Sequence, residues 1–359
     1  MTNVALSFVY DILPSRVVFG IGSLDRLPEE MDRLGAARAL VLSTPEQKGL
    51  AADIAARLGN RAAGVFDRAV MHVPIETAQA ARTEAERLSA GCCVAVGGGS
   101  TTGLGKAIAL VSGIPILAIP TTYAGSEMTP IWGITENGVK KTGRDARVLP
   151  KTVIYDPRLT VTIPAQLTAT SGMNAIAHCV EALYAKDANP IISMCAEEGI
   201  RALARSLPVV VKEPDNLDCR SQALYGAWLA GISLGSVGMA LHHKLCHTLG
   251  GTFNLPHSET HTVVLPHATA YNSPAAPEAM ARIAGALGAP HAASGLYDLA
   301  VSLGAPTSLA SLGMAAPDLE KAADIAVQNP YYNPRPVTRE GIVALLKDAL
   351  EGRRPDAPR

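Results

Sequence analysis

At 359 residues, with 48% apolar and 18% charged side chains, the chain has the balance of a folded protein and is too long for one ordinary core, which excludes a disordered class and favours two domains. A formal charge of −1 with no basic run gives no pull toward nucleic acid or anionic lipid, so the expected partners are small molecules. Aromatic residues make up only 4%, and packing falls to Ala, Leu, Val and Ile.

The opening stretch MTNVALSFVYDILPS lacks a basic flank before an apolar core, so no export signal is expected. Six cysteines without CxxC spacing fit a reducing cytoplasm. Up to about residue 160, RVVFG, ALVLST, CCVAVGGG and PILAIPTT are continuous apolar runs of the kind needed by a parallel sheet covered on both faces. PEEMDRLG and IETAQAARTEAERLSAG lie between them with helical composition, the second expected to stop at Gly91 in a left-handed cap. AIALVSGIPILAIP is broken by Ser, Gly and Pro and falls short of the about 20 residues that a membrane span needs. Residues 1–160 therefore read as an α/β domain with a Rossmann-like parallel sheet that binds a dinucleotide.

After Asp156-Pro157 the apolar spacing becomes helical, beginning with TIPAQLTATSGMNAIAHCVEALYA, and residues 161–359 read as an all-α catalytic domain. The tail EGRRPDAPR is expected to fray.

CCVAVGGGSTTGLGKAIAL reads as a buried strand, a glycine turn and a helix start. Glycines let the backbone approach a phosphate, and the first N–H groups of the helix meet its charge. Gly97, Gly98, Gly99, Ser100 and Thr101 form the expected cradle. The string is neither GxGxxG, since Thr102 stands at the third glycine, nor a Walker A loop, since Lys106 precedes Ala107. A second strand end, PTTYAGSE, places Thr121 and Thr122 where open α/β sheets bind ligands. Lys140, Lys141, Arg144, Arg147 and Lys151 follow in a hairpin, where solvated charge is the competing reading; Lys141 is taken as the phosphate contact. After ALVL stand Ser43 and Thr44, with no carboxylate to exclude a 2′-phosphate, so both NADH and NADPH are expected cofactors.

Seven of the nine histidines fall between positions 178 and 267. Asn174 and His178 are four apart on one helix face, with Glu181 seven along; His243 and His247 repeat the spacing, and Gly250 and Gly251 are expected to end their helix. His257 follows in a loop. Two such helices can present four groups to one centre, so Asn174, His178, His243, His247 and His257 are the candidate catalytic set. His242 points about 100° away and is read as structural; His72, His261, His267 and His291 are left as loop or core residues.

The strings GGGSTTGLGKAIAL, IPTTYAGSEMT, DPRLTVTIP, SGMNAIAHCVEA, HHKLCHTLGGTFNLPH and NPYYNPRPV resemble, in order and spacing, the iron-containing alcohol dehydrogenase family, most closely its maleylacetate reductase branch. The resemblance implies an N-terminal dinucleotide-binding domain, a helical domain, an active site in the cleft between them, and a homodimer with SFVYDILPSRVVFG as a pairing strand. It assigns the metal ligands to Asn174, His178, His243 and His257, the first normally Asp. An amide brings no charge, so no metal is expected, although three histidines remain able to bind zinc. Gly103 in place of Asp, a short PTTYAGSE loop and Ser258 in place of Gly point to the same branch. The implied reaction is hydride addition to the carbon–carbon double bond of maleylacetate, giving 3-oxoadipate. The expected division of labour has protonated His243 polarising the ketone, His247 relaying a proton, His178 and His257 lining the pocket, and Arg335 meeting one carboxylate of the dianion. The alternative is a metal-dependent alcohol dehydrogenase that tolerates Asn174.

Overall fold

The computed structural model describes residues 8–13, 15–137, 139–328 and 331–355. The readings of residues 1–7, of Ser7 and Pro14 in the pairing strand, and of 356–359 in the tail lie outside the described residues. The chain divides into two compact units. Residues 13–163 with 215–224 form the α/β unit, and described residues of 8–12, 164–214 and 225–355 form the helical unit. The two short segments are exceptions to a single cut at 160.

The α/β unit runs β1 (Arg16–Phe19), α1 (Leu27–Arg33), β2 (Ala39–Leu42), α2 (Lys48–Leu58), β3 (Ala62–Phe66), α3 (Ile75–Arg87), β4 (Cys92–Gly97), α4 (Gly99–Ser112), β5 (Ile116–Pro120), β6 (Ile131–Glu136), β7 (Val139–Arg144) and β8 (Thr152–Tyr155). Six strands form one parallel sheet in the order β1-β8-β5-β4-β2-β3, and β6 and β7 form a separate antiparallel ribbon. Wholly buried β2 shows why the apolar runs are continuous. Val41 packs into one face with Ile54, Val94 and Ile119, while Leu40 and Leu42 pack into the other with Cys93, Leu104 and Ile108. From β3 the chain crosses to β4 on the other side of β2 and then proceeds in the opposite direction. The topological switch point therefore lies between β2 and β4, and the crevice at their carboxyl ends opens beside the glycine loop.

The helical unit contains α5 (Ala165–Leu183), α6 (Pro190–Val210), most of α7 (Leu217–Ser236), α8 (Leu241–Phe253), α9 (His257–Asn272), α10 (Pro277–Leu287), α11 (Ala292–Ser302), α12 (Asp318–Ala326) and α13 (Arg339–Glu351). Leu241, Leu245 and Leu249 of α8 share a core with Val263 and Val264 of α9 and Leu346 of α13. Among the described residues no single helix is long and apolar enough to cross a membrane; α7 and α8 reach that length only together, across a 94° bend.

Three local expectations are corrected. Helix α3 stops at Arg87 and Ser89 takes the left-handed conformation at φ 51°, while Gly91 instead donates its N–H to the Arg38 carbonyl at 2.8 Å. Helix α8 runs through Gly250 and Gly251 to Phe253, and Asn254 at φ 54° ends it. His257 opens α9 rather than lying in a loop.

Lys106 is turned away from any phosphate. Fully buried, its ammonium donates to the carbonyls of Ser126 at 2.7 Å and Ile131 at 2.8 Å and to the Thr129 hydroxyl at 2.9 Å, tying α4 to the segment before β6. Lys106→Met removes these three donated bonds from the interior. An expected loss of about 3 kcal/mol of stability follows, read by urea denaturation, with dinucleotide affinity per folded molecule retained.

Candidate active site

The glycine loop is built by close backbone approach. Gly97 ends β4 at φ +143°, a conformation L side chains rarely adopt, and a Cβ there would meet Gln47 Oε1 and Thr101 Oγ1 at 2.6 Å. A Cβ on Gly98 would lie 2.6 Å from Thr122 Oγ1, whereas one on Gly99 would point into open space. Helix α4 starts at Gly99, so the N–H groups of Gly99, Ser100 and Thr101 lie at its unpaired, positive end. Gln47 donates to Thr121 Oγ1 at 2.6 Å, and Thr101 donates its hydroxyl to the Gly98 carbonyl at 2.9 Å. Gly97, Gly98, Gly99, Thr101, Thr121 and Thr122 thus form one small network, with Ser100 on the first turn. The cradle fits a dinucleotide pyrophosphate. Val73 leans over this helix: a Cβ on Gly103 would fall 2.9 Å from its Cγ2, so the usual Asp has no room there in this conformation.

In the helical unit the imidazoles assemble around His243. Its ring lies 5.1 Å from His178, 5.1 Å from His242, 4.9 Å from His261 and 6.2 Å from His247, centroid to centroid. His257 is 4.4 Å from His261. His178, His242, His243 and His261 are buried, while His247 and His257 are exposed. Asn174, four residues before His178, is buried on the same helix.

Glu181 organises this cluster. Wholly buried, its Oε1 accepts the His242 N–H at 2.7 Å, and its Oε2 accepts the Ala240 N–H at 2.9 Å and lies 2.7 Å from His243 Nδ1. Burial pushes its carboxyl up from the usual range, with His242 and the N–H donors acting in the opposite direction. Each oxygen already accepts a backbone N–H, so the ring proton of His243 sits on Nδ1 and the lone pair on Nε2. Among the described residues that Nε2 is buried without a hydrogen-bond partner, as are Asn174 Oδ1, His178 Nδ1 and both ring nitrogens of His261. An unpaired buried polar atom costs about 1–3 kcal/mol, so this concentration of them marks a place for an occupant.

This arrangement corrects the expectation of a protonated His243. Burial, with the neighbouring His247 and His257, holds its pKa well below the ordinary 6.5, and burial does the same at His178 and His261. The low-dielectric interior disfavours imidazolium. A neutral ring with a bare Nε2 accepts a proton or binds a cation; it cannot donate to a ketone oxygen.

Three other predicted contacts are placed elsewhere. Ser43 is wholly buried at the end of β2, with its backbone bonded to Phe66 and Ala69, and presents no surface to a ribose. Lys141 lies 2.6 Å from Glu136 across the β6–β7 ribbon, an exposed ion pair. Arg335 stacks on Tyr271, 4.4 Å from its ring centroid, and donates to the Tyr271 carbonyl at 3.1 Å, pinning residues 331–336 to α9. Arg335→Ala should lower stability by about 1 kcal/mol in thermal melts and leave KM unchanged. A several-fold rise in KM would return it to the substrate. Two residues passed over earlier, Glu181 and His261, prove central to the cluster. The spacing His257-x-x-x-His261 was the available signal.

Residues 14–157 match the family described as iron-containing alcohol dehydrogenase, and residues 168–350 match its C-terminal domain. The chain belongs to the iron-containing alcohol dehydrogenase family. A maleylacetate reductase from Burkholderia cepacia is 62% identical over 97% of this chain and 99% of its own length. Crystal structures of maleylacetate reductases from Agrobacterium tumefaciens and a Rhizobium species superpose with TM-scores of 0.94 at 55% and 56% identity, each covering 97% of this chain and 99% of the other. The sheet-plus-helical architecture is that of the family, with a nicotinamide-dependent dehydrogenase fold, and the protein is an oxidoreductase.

The family's metal positions can be tested against the side chains present. Asn174 Oδ1, His178 Nδ1 and His243 Nε2 are all buried and have no hydrogen-bond partner among the described residues. A histidine whose second nitrogen is held by a carboxylate is the usual partner of a metal ion. Three of the four positions thus offer lone-pair atoms of the kind a divalent cation takes, and membership of an iron-containing family weighs against the metal-free expectation drawn from Asn174 alone.

Proposed function

We propose that this member of the family reduces the carbon–carbon double bond of maleylacetate to 3-oxoadipate with NADH or NADPH, in the breakdown of aromatic compounds. The observation that carries the reading is the likeness to maleylacetate reductases over nearly the whole chain, at 52% identity or more among eight relatives. The metal-dependent dehydrogenation of a small alcohol is not favoured, because all eight relatives are maleylacetate reductases.

When bound, the reduced nicotinamide supplies the hydride, and a divalent cation at Asn174, His178, His243 and His257 supplies the electrophile for the ketone oxygen. The chain itself does the rest. The N–H groups at the start of α4 hold the dinucleotide phosphates against Gly97–Gly99, with the Thr122 hydroxyl beside Gly98. Glu181 holds the His243 ring through Nδ1 and leaves its buried Nε2 without a hydrogen-bond partner among the described residues. His247, exposed and one helical turn beyond His243, is the residue assigned to deliver the proton to the carbon next to the ketone.

The partner is a small dicarboxylate. A cytoplasmic location accords with the six free cysteines. Homodimer formation accords with the open edge of β1, where Phe19 and the following Ile21 are exposed; light scattering on the purified protein checks it. The deciding assay follows NADH and NADPH oxidation with freshly made maleylacetate, with and without chelator. Consumption of neither cofactor by an intact, metal-replete protein rules the reading out.

A further inference from the structure

We propose that Asp67 and Lys48 are the cofactor-selecting pair of the dinucleotide site: the Asp67 carboxylate accepts the ribose hydroxyls of NADH, and the Lys48 ammonium meets the 2′-phosphate of NADPH. The proposal rests on the reading of the glycine loop as the pyrophosphate cradle.

In a doubly wound sheet the adenosine ribose lies past the end of the second strand, where a carboxylate accepts its hydroxyls. Here that position is Ser43, wholly buried, with an Oγ that has no hydrogen-bond partner among the described residues. The neighbouring strand supplies the carboxylate that Ser43 lacks. Leu42 of β2 pairs with Phe66 of β3, so the next residues, Ser43 and Asp67, leave adjacent strands side by side, one strand spacing of about 4.8 Å apart. Two backbone bonds continue that pairing past the strand ends. The Ser43 N–H donates to the Phe66 carbonyl at 3.1 Å, and the Ala69 N–H donates to the Ser43 carbonyl at 3.0 Å.

Lys48 joins Asp67 to the cradle. Its Nζ lies 3.0 Å from Asp67 Oδ2, with the lysine side chain 72% exposed and the aspartate 28%. The residue before it, Gln47, donates its amide to Thr121 Oγ1 at 2.6 Å and packs against Gly97. Consecutive residues thus touch the phosphate cradle and the ion pair.

The charges around the pair balance. Arg68 lies over the Phe66 ring, 4.5 Å from its centroid, and the Glu46 carboxylate accepts from the Thr44 hydroxyl. Asp67 and Glu46 against Lys48 and Arg68 sum to zero. An isolated carboxylate here repels a 2′-phosphate. A carboxylate that shares an exposed lysine does not, because such a pair is weak and the ammonium turns to the phosphate on its flexible stem. The site therefore accepts both cofactors, and either charge can be removed to make it choose.

The test reads binding by the full chain, apart from turnover. Dissociation constants for NADH and NADPH are measured by nicotinamide fluorescence, with 5′-AMP and adenosine 2′,5′-bisphosphate as competitors that carry the two ribose ends alone. Wild type should bind both cofactors. Lys48→Met should weaken NADPH and the bisphosphate about tenfold and leave NADH and AMP unchanged. Asp67→Asn should weaken NADH about threefold and tighten NADPH, and that NADPH preference should fade as salt is raised. Lys347→Met, exposed on α13, should change neither affinity. A pair that serves only the fold moves both cofactors together, so an unchanged NADH to NADPH ratio in Lys48→Met overturns the proposal, even if Asp67→Asn fails to fold. Wild type that binds neither cofactor overturns the cradle reading as well.

Discussion

Glu181→Gln is expected to lower maleylacetate turnover and cation affinity together, each by 10- to 100-fold, because one carboxylate sets the chemistry of the central imidazole. Both oxygens of Glu181 accept backbone N–H groups, and Oε2 also takes the Nδ1 proton of His243. A glutamine of the same shape must turn an NH2 toward one side or the other. If it faces Ala240 and His243, a donor meets a donor and His243 has to move its proton to Nε2, removing the lone pair needed at the cluster centre. If it faces His242, the first turn of α8 loses an acceptor instead. Both orientations leave a buried N–H unpaired, so stability should fall by about 2–3 kcal/mol. Nitrogen NMR of the histidine rings separates the effects: a tautomer change at His243 accompanies the lost activity. Wild-type turnover with an unchanged His243 tautomer would remove Glu181 from this role.

That residue shows where the sequence stops being legible. Its place on the Asn174–His178 face followed from helical spacing, but its partners lie about 60 positions further along the chain, where no local pattern reaches. His257 and His261 were legible in principle. The Gly250-Gly251 pair suggested an early stop and a long loop, yet burial of Leu249 and contact of Phe253 with the core carry α8 through both glycines, each costing about 1 kcal/mol of helix propensity. Asn254 then turns the chain and α9 begins at His257, bringing His261 onto the same face one turn later. The sheet shows the same division between strong and weak local signals. Runs of Val, Ile and Leu marked β1, β2, β4 and β5, while β3, written AAGVF, and β8, four residues long, hold their places by pairing with neighbours. The charge state of the histidines was hidden for a different reason: a reference pKa belongs to a solvated ring, and the sequence gives no direct measure of burial.

Gly97→Ala and Gly99→Ala should fail differently, and the contrast tests the phosphate cradle. At Gly97 the φ of +143° is itself strained for alanine, and the new methyl would sit 2.6 Å from both Gln47 Oε1 and Thr101 Oγ1. Those side chains hold Thr121 and Gly98, so relieving the clash means dismantling the Gln47–Thr121 and Thr101–Gly98 bonds. A loss of about 2–4 kcal/mol of stability is expected, together with loss of measurable NADH binding. At Gly99 the backbone carries no positive φ and the methyl meets nothing within 4 Å, so the variant should melt with the wild type. In the proposed reading, that same open space is where a pyrophosphate would approach the first N–H groups of α4. Gly99→Ala is therefore expected to weaken NADH binding about tenfold, corresponding to about 1.4 kcal/mol, by keeping the phosphate from the helix end. Calorimetric titration with NADH reads the affinity and thermal melting reads the fold. If Gly99→Ala binds NADH as wild type does, the phosphates lie elsewhere; if Gly97→Ala is as stable as wild type, the conformation assigned to the end of β4 is wrong.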